Sequence, residues 1–295
     1  MERITAIVLT KNEELHIERC VNNLLRICEK VYVVDCFSTD KTCNLAQASG
    51  AIVMQHIYVN QAQQFQWALE NCPIETEWVM RIDADEYLTD NLIEEIEQKL
   101  PNVSFNVNGV YFPLRVRFLG KSLRFGHLRP VRIMRLWRRG QVYMEQRWMD
   151  ERLVLKEGEA VSFRHCFIDD NLNGLTAWTQ KHNEYSNREV VVELNRRYGF
   201  LESGDDKSLK SRNQKKTTYY RLPRFFRALV YFGVRYIFFL GFLNGTRGLI
   251  WHTLQAYWYR FLVDSKIYEV EKRLGKDPSK EQLLDYFCRY YGLKL

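Results

Sequence analysis

Residues 77–86 read EWVMRIDADE, a strand-length run that is apolar from Trp78 to Ile82 except at Arg81 and then meets Asp83-Ala84-Asp85. A short apolar run that stops at polar residues suits a buried strand. Three similar runs precede it: Ile4–Leu9 (ITAIVL), Val31–Val34 (VYVV) and Ala51–Met54. Between the first two, apolar residues recur at helical spacing through Leu15, Ile17, Cys20, Val21, Leu24 and Leu25, and Asn12 stands where a helix N-cap would sit. The loop Cys36–Asp40 offers N-caps for a second helix, which Gly50 ends near Ser49, and residues 61–71 look helical again. Strands alternating with helices predict a parallel α/β sheet, whose ligands bind at the carboxyl ends of the strands. Three of those ends carry polar groups: Thr10 to Asn12, Asp35, and Asp83 with Asp85.

Outward from this core the pattern changes. Residues 110–165 hold strand-like pieces (VYFPLRVRFL, VRIMRLW, ERLVL, AVSFRHCF) without helical periods, which predicts a mixed or antiparallel extension of the sheet. Helical spacing returns over 172–200, and Glu202 to Lys216 is polar and turn-rich, as a linker would be. The expected division is a catalytic-sized domain over 1–200 and a basic, aromatic-rich helical tail over 201–295.

Charge follows the same division. Residues 1–100 hold 8 Lys/Arg against 17 Asp/Glu, whereas the remainder holds 35 against 19. An acidic front suits a metal cation, and a basic rear suits phosphates or an anionic membrane. The 46% hydrophobic content, with only 6 Pro and 15 Gly, excludes a disordered or collagen-like chain. Seven cysteines without a C-x-x-C pair argue against a disulfide framework and a zinc ribbon, and favour a reducing cytoplasm. The opening MERITAIVLTKNEE lacks the basic and long apolar regions of an export signal.

The tail has eight basic and no acidic residues from Lys207 to Arg227, then sixteen residues, Ala228 to Leu243, broken only by charged Arg235. That is short of a membrane span. A second aromatic stretch, Leu249–Val263, contains Trp251, Tyr257, Trp258, Tyr259 and Phe261. Aromatics beside cations predict a helix pair lying on an anionic membrane surface; a hairpin packed on the core is the competing expectation.

In extended backbone, Asp83 and Asp85 would leave one face together and offer hard oxygen ligands to Mg²⁺ or Mn²⁺, which also take phosphate oxygens. Asp35 could accept hydrogen bonds from a base or ribose. Neither a G-x-G-x-x-G nor a G-K-[ST] loop is present, so nucleotide binding would rest on the metal and basic side chains. His165 could complete the metal site or touch a phosphate. Lys181 and His182 could meet a diphosphate, Arg132 and Arg135 could form a bidentate phosphate contact, and Trp148 could stack on a sugar ring.

The series ITAIVLTKNEE, VYVVDCFSTDKT, NQAQQFQWALEN, EWVMRIDADEYL, RWMDERLVL and KHNEYSNREV resembles, in order and spacing, the family 2 inverting glycosyltransferases. The likeness spans about residues 1–200 and is nearest the bacterial lipopolysaccharide-core and exopolysaccharide branch; the tail also resembles the C-terminal helices of those enzymes. It implies an α/β GT-A fold, a Rossmann-like mixed sheet with a membrane-associating helical C-terminal region. It further implies that Thr10, Asn12 and Asp35 hold the uracil and ribose of a nucleotide sugar, and that Asp83 and Asp85 hold ribose, metal and diphosphate. Asp150 or Glu151 would be the general base, with Asp150 favoured by its placement before Leu153. Phe65 and Gln66 replace a basic residue and Asn found in many relatives, leaving Gln64 or Gln61 as substitute donor contacts. Arg152 stands where some relatives have His.

The function so implied is transfer of a hexose from a nucleotide sugar to a lipid-linked or lipopolysaccharide acceptor, on the inner face of a bacterial cytoplasmic membrane. Two other classes compete. A sugar-phosphate nucleotidyltransferase would show a Gly-rich loop after the first strand, where this chain has TKNEE; a non-catalytic membrane-surface scaffold would not retain Asp83, Asp85 and the WMDE acids. No recognised motif supports a nucleic-acid partner.

Overall fold

A computed structural model describes residues 3–126, 131–144, 153–201, 219 and 221–293. The chain divides into two compact units: Met1–Leu123 with Arg129–Gly174, and Arg124–Leu128 with Leu175–Leu295.

In the first unit β1 (Ile4–Thr10), β2 (Lys30–Asp35), β3 (Ile52–Gln55) and β4 (Trp78–Arg81) run parallel in the order β3-β2-β1-β4, joined through α1 (Ile17–Leu24), α2 (Thr42–Ala48) and α3 (Gln61–Asn71). Alternate residues of β1 explain why its sequence is continuously apolar. Ala6 and Val8 pack in one core with Ile17, Val21 and Leu24 of α1, while Ile7 packs in the other with Phe65 and Ala68 of α3.

The sheet continues past β4. Next come β5 (Glu86–Leu88), α4 (Asp90–Lys99), β6 (Val107–Phe118), β7 (Lys121–Ser122), β8 (Arg132–Arg138), β9 (Val142–Met144), β10 (Leu153–Leu155), β11 (Glu159–Ser162) and β12 (Phe167–Asp170). The spatial order beyond β4 is β8-β6-β12-β5, with β7 and β11 also on β6. β8 is antiparallel to both β4 and β6, whereas β11 and β12 run parallel to β6, so the extension is mixed as expected. β12 brings Asp169 opposite Glu86.

One helix start differs from expectation. α1 begins at Ile17, and Asn12 lies five residues earlier in left-handed backbone (φ 55°). Its side-chain oxygen accepts from the Thr39 amide at 2.9 Å, so it is occupied across the loop instead of capping a helix.

In the second unit, α5 (Gly174–Tyr198) packs with helices Tyr259–Leu274 and Lys280–Tyr291 through Val190, Leu194, Ile267 and Phe287. This helix, grouped by sequence with the front of the chain, therefore shares its core with the tail. Arg227 and Asp264 form a buried pair, and Asp264 also accepts the Phe225 amide at 2.8 Å. In the second aromatic stretch Tyr259 is buried, Trp251 and Trp258 lie beside Trp178 of α5, and Phe261 is exposed. His182 stacks on Trp178 with centroids 3.5 Å apart and bonds its carbonyl, and burial lowers the His182 pKa; it packs within this unit. Among the described residues no single helix is long and apolar enough to cross a membrane. Phe226–Phe238 and Gly241–Leu274 meet the length and composition together but are bent by 69°.

Candidate active site

Because β1, β2 and β4 are parallel neighbours, Thr10, Asp35 and the residues after Arg81 emerge on one edge, β2 and β4 lying about 10 Å apart across β1. Two loops are stitched together there. Lys11 donates to the carbonyls of Cys36 and Phe37 (2.9 and 2.6 Å), the Asn12 amide to Ser38 Oγ (2.7 Å), and the Glu13 amide to Thr42 Oγ1 (2.7 Å). Phe37, like Asn12, adopts positive φ (57°), as a tight paired loop requires.

Asp35 organises this rim. Its carboxylate accepts from Thr10 Oγ1 (2.9 Å), the Ser38 amide (2.7 Å), Ser38 Oγ and Gln55 Nε2 (3.4 Å). Burial pushes its pKa up, but the Ser38 hydroxyl and amide, the Thr10 hydroxyl and the Cys43 thiol outweigh that and hold it below the ordinary carboxylate range. Asp35 is fully enclosed, and protein donors engage both of its carboxylate oxygens. It shapes the loop that presents Thr10, Asn12 and Ser38.

The Asp83–Glu86 segment is a turn, closed by the Glu86 amide donating to the Asp83 carbonyl at 2.9 Å. Extended geometry, which would send both carboxylates off one face, does not apply. Asp83 is gripped by guanidinia, Arg81 at 3.4 Å on Oδ1 and Arg135 at 3.0 Å on Oδ2. Asp85, half-buried, accepts from Asn171 Nδ2 at 2.9 Å. Buried Glu86 ties the turn to the sheet, accepting from the Asp83 amide (3.0 Å) and from Arg135. Burial pushes the Glu86 carboxyl up to about 8, against the pull of Arg135. Burial also opposes the Arg135 charge, but Glu86 and Asp83 more than offset it and raise its pKa. Arg135 is therefore an internal clamp and not the phosphate fork expected; Arg132 is likewise occupied, donating to the Phe163 carbonyl at 2.7 Å.

A second clamp comes from α1. Arg19 donates to Asp170 Oδ2 (3.0 Å) and to the carbonyls of Asp170 (2.8 Å) and Asp85 (3.2 Å). Buried His16 has Glu13 on Nδ1 (2.7 Å), and its Nε2 accepts the Leu172 amide (2.8 Å). The segment carrying Asn171, and through it Asp85, is fixed from both sides. None of Arg19, His16, Glu86 or Asn171 stood out in the sequence. Glu86 carried a signal as the third acid of DADE, while Asn171 lies 86 residues from its partner and carried none.

Two expected ligands sit elsewhere. Gln64 is buried and closes on His56, Oε1 to Nδ1 at 2.8 Å, in a pair that Trp67 covers by stacking. His165 binds Glu95 through its amide (2.8 Å) and ring Nδ1 (3.1 Å). It precedes β12, at the other end of which the Asp170 amide bonds the Asp85 carbonyl, the strand itself spanning about 10 Å. Glu95 engages ring Nδ1, and among the described residues His165 does not gather with two other metal-ligating side chains. Asp150 and Glu151, with Arg147, Trp148 and Arg152, lie outside the described residues.

The donor set is compatible with a hard cation. Among the described residues no three His, Cys, Asp or Glu groups gather, and Mg²⁺ asks for less, since it binds through one or two carboxylates and completes its shell with water and phosphate. Asp85, bonded among the described residues by one neutral amide, suits such a ligand; Asp83, already neutralised by two guanidinia, suits a neighbouring acceptor.

The Glycosyl transferase family 2 model matches residues 5–165, the whole of the sheet up to β12. The chain belongs to that family. Its mixed α/β sheet is the GT-A fold, and the helical C-terminal region follows it. An uncharacterized glycosyltransferase of Rickettsia bellii is 40% identical over 96 residues, 32% of each protein, so this chain spans about a third of the length of that relative. The lipopolysaccharide core biosynthesis glycosyltransferase LpsC of Rhizobium meliloti is 27% identical over 284 residues, 90% of this chain and 92% of LpsC. Among solved structures, glucosyl-3-phosphoglycerate synthase from Mycobacterium tuberculosis with Mn²⁺ and UDP-glucose aligns over 39% of this chain and 44% of its own, with 20% identity and a TM-score of 0.33.

Proposed function

We propose that this chain is an inverting glycosyltransferase that moves a hexose from a UDP-sugar to a lipid-linked or lipopolysaccharide-core glycan, working on the inner face of the bacterial cytoplasmic membrane. The observation that carries it is the shared edge of β1, β2 and β4, where the Asp35-shaped loop and the clamped Asp83–Asp85 turn open side by side in a family 2 sheet. The end-to-end likeness to LpsC supports a lipopolysaccharide-type acceptor.

Thr10, Asn12 and the loop that Asp35 holds would take the nucleoside. Mg²⁺ or Mn²⁺ on Asp85, with Asp83 beside it, would neutralise charge growing on the departing diphosphate. Arg81 and Arg135 hold the Asp83 carboxylate in place. Asp150 would take the proton of the acceptor hydroxyl as that oxygen attacks the anomeric carbon opposite the diphosphate, so that a single displacement inverts the centre.

Asp150→Asn is expected to keep UDP affinity and to lose transfer by about a hundredfold or more. Normal turnover in that variant, with Glu151→Gln inactive, would reassign the base to Glu151. The activity class is tested by titrating the purified full chain calorimetrically with UDP, with and without Mn²⁺, beside GDP. Metal-dependent binding of UDP supports a UDP-sugar donor, preference for GDP changes the donor, and binding of neither by folded protein overturns the reading. Pyrophosphate release from a nucleoside triphosphate and a sugar phosphate would instead indicate the nucleotidyltransferase.

A further inference from the structure

Within the second unit, the bend between Phe226–Phe238 and Gly241–Leu274 forms an elbow with irregular backbone. Val234–Phe238 is a π turn, Leu240 is left-handed (φ 56°), and Gly241–Asn244 is a 3₁₀ turn. Such backbone leaves polar groups off the regular helical ladder, and residues 124–126 of the same unit meet them. The Gly126 amide donates to the Phe239 carbonyl at 2.9 Å. Asn244 Oδ1 accepts the Arg124 and Phe125 amides at 2.9 and 3.3 Å, and its Nδ2 donates to the Phe125 and Gly241 carbonyls at 3.0 and 3.1 Å. Arg235, buried despite its place in the apolar run, donates to the Gly126 carbonyl at 3.1 Å. The contact is close enough to need glycine: a Cβ on Gly126 (φ 93°) would meet the buried His252 ring at 2.2 Å.

The polar groups of the elbow thus turn inward, and its outer side is apolar. Phe238 is 76% exposed and Ile237 65%, followed by Leu240, Phe242 and Leu243, also exposed. Five large apolar side chains within seven residues form a patch and not scattered exposure. From Lys207 to Val263 the sequence has 11 Lys/Arg and no Asp or Glu, although Arg224, Arg227 and Arg260 pair with Glu271, Asp264 and Glu189, and Arg235 is buried.

We propose that this elbow is a membrane wedge, whose tip, Ile237–Leu243, enters the headgroup and acyl boundary of one leaflet of an anionic bilayer. Irregular backbone tolerates an apolar medium only when its polar groups are satisfied internally, as they are here. The bend and the short first arm, Phe226–Phe238, fit insertion in one leaflet and not a crossing. The run from Lys207 to Arg221, six Lys/Arg without an acid, favours anionic lipid. The inference rests on the membrane location in the proposed function and is independent of the donor chemistry.

The test uses the full chain and vesicles of phosphatidylcholine with about a third phosphatidylglycerol. Wild type is expected to sediment with them, and Phe238→Asp combined with Leu243→Asp to lower the partition by about tenfold or more, with melting transition and UDP titration unchanged. Phe238→Leu should bind as wild type does. Three results would overturn the wedge: wild type that ignores anionic vesicles, a double variant that partitions as wild type, or a wild-type dimer in solution that the double variant dissociates. Loss of UDP binding with vesicle binding intact would strike the donor reading alone.

Discussion

Asp85→Ala is expected to lower transfer by about a thousandfold and to erase the difference between UDP titrations with and without Mn²⁺, since a cation on the diphosphate supplies several kcal/mol. The expectation separates the two acids of the turn. Asp83 faces two guanidinia and Asp85 a single neutral amide, so Asp85 is the carboxylate with charge left to offer a cation. Asp83→Asn should behave differently, weakening UDP with and without metal, because it disturbs Arg81 and Arg135 as well as the turn. Asp85 is half-buried and makes few bonds, so Asp85→Ala should melt close to wild type. Calorimetric affinity for UDP that still rises with Mn²⁺ in Asp85→Ala would defeat the assignment, and identical profiles for the two variants would defeat the division of roles.

The parallel core was legible because β1, β2 and β4 are buried on both faces and leave uninterrupted apolar runs, with their polar ends on one edge. What the sequence hid is how those ends are held. Strand periodicity extends Ile82 straight into Asp83 and Asp85, but the buried Glu86 carboxylate draws back the Asp83 amide and makes a turn. Arg135 read as a phosphate ligand because a strand arginine looks alike whether it faces solvent or two buried acids; only the pairing of β8 with β4 puts it beside the turn. Asn171, His16 and Arg19 act through contacts that cross from 66 to 156 residues, beyond any local pattern. In the tail, the aromatic count pointed to an interface, yet α5 takes up the rings of Trp258 and Tyr259, and the elbow exposes Ile237, Phe238, Leu240, Phe242 and Leu243, which no aromatic count singles out.

Arg135→Met is expected to destabilise the sheet unit by about 3–5 kcal/mol, the usual consequence of removing one partner from a buried ion group, and to do so unequally with pH. Methionine fills most of the volume but leaves Glu86 in an apolar setting with the Asp83 charge nearby. Burial already raises the Glu86 carboxyl, and Arg135 is the main influence drawing it down, so the variant raises it further. A carboxyl whose folded pKa exceeds its unfolded value binds its proton more firmly when folded. Its contribution is therefore complete below the ordinary carboxylate range and is lost as pH rises through about 8. Denaturant titrations should accordingly show a smaller deficit for Arg135→Met at pH 7 than at pH 9.5, where only the wild type has released the Glu86 proton, and Glu86→Gln in the same background should flatten that slope, because no charge then remains to bury. Equal deficits at both values, or a larger one at pH 7, would mean that Arg135 does not draw the Glu86 carboxyl down. Asp83 loses its second guanidinium in the same variant, so UDP affinity should fall with stability, whereas a variant that melts early and binds UDP normally would confine Arg135 to the fold.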